Sequence, residues 1–286
     1  MIQPDIAIIT NIGEGHLMDM GTIENVIQGK LEIVSGLKDT GVLVVNDDNQ
    51  YLKDLELPGV RILRYSTHNQ KCDYYAQNIE SAGEDIKFQI VCKEGCFDAV
   101  LHLQGTHNVE NALGVFACAM EAGIPPYKII AGLTHYIPEA DKQNLMEYQG
   151  YHMLVDTYSA TPLSVEAAVK TLSMFPREDG SRKIAVLGDI PALGDASEEK
   201  HKEVGKRIAQ YDFDLMLCIG SEAKYFALAA IKEGKKAYYY EEDREAFNRK
   251  LTESIRPGDL ILFKSGTRSH LKEETIYPLF GIIDKK

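Results

Sequence analysis

YHMLVDTY (151–158), KIAVLGDI (183–190), FDLMLCIG (213–220), KAYYYE (236–241) and DLILFK (259–264) are short apolar runs that recur through the second half of the chain. Amphipathic, helix-period stretches separate them. Such an alternation predicts parallel strands buried on both faces and joined by crossover helices, a doubly wound α/β domain. In open sheets of this kind ligands gather beyond the carboxyl ends of the strands. Asp156, Asp189, Ser221 and the residues from Lys264 onward therefore carry the functional weight. The loop in VLGDIPALGD (186–195) lacks the G-x-G-x-x-G spacing, which argues against a dinucleotide dehydrogenase.

Working outward, the first half opens with IAIIT (6–10), a fully apolar run expected inside a sheet, followed by the loop NIGEGHLMDMG (11–21). A helix is expected over 22–37, a strand at GVLVV (41–45) and another near 61–65. DYYAQNIE (73–80), KFQIVC (87–92) and DAVLHL (98–103) then read as an antiparallel β insert. Helices over about 106–122 and 127–133 close the region, and IPEADKQN (137–144) reads as a linker. The expected domains are 1–149 and 150–286, with a protease-sensitive joint near 139–144.

Composition narrows the function. Acidic residues outnumber basic ones, 43 to 31, for a formal charge of −12 over 286 residues. Binding along a nucleic-acid backbone needs the opposite balance, so no nucleic-acid partner is expected. No stretch approaches the roughly 20 apolar residues of a membrane span, and MIQPDIAIIT (1–10) lacks the pattern of a signal peptide, so neither membrane insertion nor export by that route is expected. Five cysteines, at 72, 92, 96, 118 and 218, do not form a secreted disulfide framework and fit a reducing cytoplasm. Cys92 and Cys96 have no second Cys/His pair at zinc-ligand spacing.

Four residues stand out before any family is considered. Lys30 falls within the apolar stripe Ile23, Val26, Ile27, Val34 and Leu37 of the expected helix, where an ammonium must snorkel, pair, lose its proton or be modified. His16 lies in a glycine-bearing loop after a strand, as a metal or phosphate ligand or as a plain loop residue. Asn108 and Asn111, in GTHNVEN (105–111), share one side of a helix away from the core face of Val109, Leu113, Phe116 and Met120. Paired amides suit the edge of an adenine ring; one helix cap and one surface residue is the other reading.

Seven segments in register resemble the Mur ligase family, most closely its branch that adds D-alanyl-D-alanine to UDP-N-acetylmuramoyl-tripeptide. They are PDIAIITNIGEGHL (4–17), IQGKLEIVSGL (27–37), GVLVVNDDN (41–49), LQGTHNVENALG (103–114), VDTYSATPLSVEAAV (155–169), VLGDIPALGDASEEKH (186–201) and GDLILFKSGTRS (258–269). The resemblance implies a truncated central domain, mostly parallel with an antiparallel insert, followed by a Rossmann-like C-terminal domain. It also implies a cytoplasmic enzyme of peptidoglycan precursor synthesis that uses ATP and Mg2+ to form an amide through an acyl-phosphate.

Carried onto this sequence, the resemblance makes His16 a magnesium ligand and Lys30 the lysine that becomes an anion by carbamylation. It turns Asn108 and Asn111 toward adenine and gives Asp156, Tyr158 and Lys142 to the nucleotide. Lys264 and Arg268 fall where the incoming dipeptide and the substrate end are handled. His16 and Lys30 are expected to lie near each other, and Asn108, Asn111 and Asp156 to converge on one crevice.

This sequence departs from the pattern at several points. The 286 residues contain no G-x-x-G-K-[ST] phosphate loop, and the UDP-sugar-binding domain is not among them. Lys142 stands in place of an arginine, Ser159 and Thr161 in place of two asparagines, and Ala192 in place of a glutamate. The chain alone is accordingly expected not to turn over ATP, and a partner chain could carry the loop. The alternative is a non-catalytic homologue serving as a binding or regulatory subunit.

Overall fold

The computed structural model describes residues 2–15, 17–82, 84–137, 142–177 and 180–282. Contacts divide the chain into two compact units, one built on residues up to 13 and 20–137, the other on 14–19 and 138 onward.

The first unit contains β1 (Ile6–Ile9), which the single-turn α1 (Leu17–Met20) follows in sequence, then α2 (Ile23–Leu31), β2 (Val42–Asn46), β3 (Arg61–Ser66), β4 (Tyr74–Ala82), β5 (Asp85–Cys92) and β6 (Gly95–Leu101). These six strands form one sheet in sequence order. Strands β1 to β4 run parallel, and β4, β5 and β6 form an antiparallel meander. The expected insert is therefore not a separate piece. Tyr65 and Ser66 of β3 pair with Tyr74 and Tyr75 of β4, so the meander extends the parallel sheet.

Helices α3 (Thr106–Glu121) and α4 (Pro126–Thr134) cover this sheet. Val109, Leu113 and Phe116 are fully buried, as their spacing predicts, against Tyr65, Tyr74 and Phe88. Gly114 permits the close approach: a Cβ there would stand 3.1 Å from the Tyr65 ring and 2.8 Å from Ile8. The expected helix over 22–37 is shorter than its period suggested. It ends at Leu31 and tightens into a 3₁₀ segment over Glu32–Gly36, where β-branched residues and glycine weaken the α-helix. The changed winding takes Val34 and Leu37 off the α-helical stripe; within α2 Val26 is the buried residue and Lys30 is exposed.

The second unit contains β7 (Asn144–Tyr148), β8 (Tyr151–Asp156), α5 (Pro162–Met174), β9 (Lys183–Gly188), α6 (Ser197–Ile208), β10 (Leu215–Ile219), α7 (Lys224–Lys232), β11 (Ala237–Tyr239), α8 (Arg244–Ser254), β12 (Leu260–Lys264) and α9 (Tyr277–Phe280). The strand order is β11-β10-β9-β12-β8-β7, parallel except for β7. All five quoted runs are strands. Alternate residues serve opposite faces: Leu154, Leu187, Met216 and Leu262 pack toward α5, α6 and α7, whereas Val155, Val186, Leu217 and Phe263 pack toward α8 and α9.

Strand β7 was not anticipated. It joins β8 through Gln149 and Gly150, whose φ angles of 50° and 79° suit a two-residue hairpin, with glutamine standing where asparagine or aspartate would advertise the turn. The central stretch of the expected linker, 138–141, lies outside the described residues.

Candidate functional site

Strands β8 and β12 are neighbours, and their register sets Lys264 beside Asp156 at the carboxyl ends. Lys264 is 2% exposed. Its Nζ donates to Asp156 Oδ2 at 2.9 Å and to the Ser159 carbonyl at 2.6 Å. The Ser265 amide donates to the Asp156 carbonyl at 3.2 Å, tying the two strand ends a second time. Burial pushes the Lys264 ammonium below its ordinary range, and the Asp156 carboxylate opposes that shift.

The loop beyond Asp156 is held at its far end as well. Thr161 caps α5: its Oγ1 accepts from the Ser164 amide at 3.2 Å, and its own amide donates to Ser164 Oγ at 2.8 Å. Between these anchors Tyr158 remains 55% exposed. Lys142 Nζ stands 4.5 Å from the centre of its ring. The structure thus brings together two pairs of the residues singled out by sequence, Asp156 with Lys264 and Tyr158 with Lys142.

A groove of about 600 Å³ opens beyond the carboxyl ends of β9, β10 and β12, lined among others by Asp189, Ala192, Glu222, Arg244 and Arg268. Arg268 is exposed there, and its guanidinium meets no hydrogen-bond or ion-pair partner among the described residues. Asp189 Oδ1 accepts from the amides of Glu222 and Ala223 at 3.1 and 2.6 Å, fixing the turn before α7. Burial holds its carboxyl above the usual range. Gly220, at φ +131°, is required by this arrangement, because a Cβ would stand 2.2 Å from Asp189 Oδ1.

Two groove-shaping residues escaped the sequence reading. His201, fully buried on α6, donates from Nδ1 to the Ser197 carbonyl at 2.8 Å, which leaves Nε2 to accept from the Ile190 amide at 3.0 Å. Its ring lies 4.6 Å from that of Phe226, and burial depresses its pKa, so the neutral imidazole buckles the loop after β9 onto α6. Its one visible signal was its place on the apolar helical face with Val204 and Ile208. Arg244, first residue of α8, donates from Nη2 to the Ser269 carbonyl at 2.6 Å and from Nη1 to Thr275 Oγ1 at 3.2 Å. Its partners lie 25 and 31 residues onward, beyond any local pattern.

In the first unit Asn108 donates from Nδ2 to the Gln104 carbonyl at 2.8 Å, while Asn111 is exposed on the next turn of α3. This is the geometry of a helix-start residue beside a surface residue. The polar strand ends after β2 and β3 are interlocked. Asn46 Nδ2 donates to Glu110 Oε2 at 2.9 Å, and the Asp48 carboxylate accepts from the Thr67 amide at 2.7 Å, from its hydroxyl at 2.8 Å, and from the Ser66 hydroxyl.

His16 lies outside the described residues, and so does its expected closeness to Lys30. Among the described residues no three His, Cys, Asp or Glu side chains cluster as a metal site. The exposed Lys30 ammonium has no lone pair to offer. The described side chains do not by themselves fit a magnesium ion.

Comparison with known proteins gives these features a family. The Mur ligase middle domain matches residues 1–119, and the Mur ligase glutamate ligase domain matches residues 143–266. The UDP-N-acetylmuramoyl-tripeptide--D-alanyl-D-alanine ligase of Bacillus subtilis is 33% identical over 96% of this chain and 59% of its own. That of Escherichia coli is 28% identical over 98% of this chain and 61% of its own. The crystal structure of MurF from Acinetobacter baumannii superposes with a TM-score of 0.86 at 27% identity, covering 98% of this chain and 60% of that one. The MurF ligase of Thermotoga maritima in complex with ADP, at 22% identity, shares the fold with a TM-score of 0.82. The chain thus spans about three fifths of the length of these relatives. With two family domains matched in order and a superposition that covers 98% of its residues, this chain belongs to the Mur ligase family.

Proposed function

We propose that the chain supplies the nucleotide-contacting and amine-receiving parts of an ATP-dependent amide ligase that joins D-alanyl-D-alanine to UDP-N-acetylmuramoyl-tripeptide. The observation that carries the reading is the groove at the strand ends, where Arg268, without a partner among the described residues, faces the same space as Asp189 and Glu222. Fixed groups of both signs suit a small zwitterion, with a guanidinium for its carboxylate and acidic groups for its ammonium. The names of the relatives support the same substrates.

In this chemistry a tripeptide carboxylate oxygen attacks the γ-phosphorus and ADP leaves. The dipeptide nitrogen then attacks the acyl-phosphate carbon, phosphate departs, and the amine gives up its proton to solvent. This chain's part is to hold the reactants: Asn111, Asp156, Tyr158 and Lys142 toward the nucleotide, Arg268 toward the dipeptide. Magnesium and a carbamylated Lys30 belong to the resemblance, and a carbonyl signal from labelled bicarbonate on Lys30 checks the latter. A cytoplasmic setting belongs to the same reading, supported by five free thiols.

The 286 residues contain no G-x-x-G-K-[ST], the element whose backbone amides and lysine cradle the phosphates. Given MgATP, UDP-N-acetylmuramoyl-tripeptide and D-alanyl-D-alanine, polypeptide 1–286 alone is expected to release phosphate at background. Amide is expected when a polypeptide carrying such a loop is supplied. Turnover by the chain alone in the usual range of roughly 1–10³ per second would overturn the first expectation. Amide from neither arrangement would favour the non-catalytic subunit.

A further inference from the structure

Lys264 and Asp156 were drawn by resemblance to different ligands, the one to the dipeptide and the other to the nucleotide, yet they form one buried ion pair. Both donor contacts of Lys264 Nζ point to the loop that follows β8: the Asp156 carboxylate at 2.9 Å and the Ser159 carbonyl at 2.6 Å. At 2% exposure the ammonium is not presented to solvent. It does not line the groove that contains Arg268. Asp156 Oδ2 is taken by Lys264, whereas Oδ1 accepts no hydrogen bond from the described residues and remains available to a donor.

We propose that Lys264 is a positioning residue for the nucleotide, acting through Asp156 and the 157–161 loop, and not a contact of the incoming dipeptide. This rests on the reading of Asp156 as a nucleotide contact. The ammonium fixes the carboxylate rotamer by holding Oδ2, which leaves Oδ1 for another donor, and offsets a negative charge that would otherwise repel a polyphosphate. Its bond to Ser159 sets the course of the same loop and with it the exposed Tyr158. A lysine serves here because its compact ammonium reaches a carboxylate and a carbonyl from the adjacent strand within a closed space.

The test is a double-mutant cycle on chain 1–286, with MgADP as the titrated probe and the unfolding midpoint measured beside it. Asp156→Asn and Lys264→Met are each expected to weaken MgADP by about tenfold or more, the scale of one charge-assisted hydrogen bond. The loss in the double variant should fall well short of the product of the two single losses, because Lys264 acts largely through the Asp156 side chain, with its bond to Ser159 as the remaining route. Its unfolding midpoint should stay near that of wild type, since the buried charges are removed together. Lys264→Arg, which keeps the cation, should recover part of the lost affinity.

If Lys264→Met does not fold, the double variant carries the test. Wild-type affinity in folded Lys264→Met, or losses that simply multiply in the double variant, would overturn the positioning role while leaving the nucleotide site standing. A wild-type chain that fails to bind MgADP would instead overturn the proposed function, and the role of Lys264 with it.

Discussion

The two sheets of this chain are finished differently. The second is packed on both faces, with α5, α6 and α7 over one apolar core and α8 and α9 over another. The first has its large apolar cluster on the side of α3 and α4, and α2 contributes to burial through Val26. The residues singled out by sequence follow the same division. In the second unit Asp156 and Lys264 are fixed by buried bonds, whereas in the first Lys30 and Asn111 stand exposed. A site residue built into a core is defined before any ligand arrives; an exposed one takes its geometry from the ligand.

Core truncation should separate the two regions most strongly. Phe226→Ala removes a fully buried ring between His201 and the α6–α7 contact and should destabilise the second unit by about 3–5 kcal/mol in urea unfolding. Val26→Ala should cost the first unit about 1–2 kcal/mol. Equal losses would mean that α2 is packed as tightly as α7.

A pH titration sharpens the comparison. His201 is held neutral by burial, so its folded pKa lies below the ordinary value of 6.5. A depressed folded pKa contributes stability that is fully present above the unfolded value and is lost as pH falls through the folded one. The second unit should therefore weaken below about pH 6.5, by up to roughly 1.4 kcal/mol per pH unit, and His201→Gln should flatten that slope. A slope that persists in His201→Gln would assign the acid sensitivity to other groups.

The smallest effect is expected at Lys30. Lys30→Ala should change stability by no more than about 0.5 kcal/mol, as for an exposed helical side chain. A larger loss would place the ammonium in a packed environment after all.

Much of the second unit was legible because its five apolar runs are periodic and bounded by polar residues at their carboxyl ends. That rule also drew attention to Asp156, Asp189 and Lys264. It did not reveal that Lys264 and Asp156 face each other, because strand register depends on pairing across 108 residues. Separations of 25 and 31 residues likewise hid the partners of Arg244. In the first unit the stripe of Ile23, Val26, Ile27, Val34 and Leu37 assumed one uninterrupted, well-buried helix, whereas the α-helix ends at Leu31, Val26 is its buried residue and Lys30 stands exposed. The seven segments carried the family, through motifs in register that local packing does not explain.

The most direct test of the account is calorimetric titration of chain 1–286 with MgADP, comparing wild type with Asn111→Ala and Asp156→Asn. Saturable binding is expected in the wild-type chain, weakened by about tenfold in each variant. Absence of binding to the folded wild-type chain, or an affinity untouched by both substitutions, would contradict it.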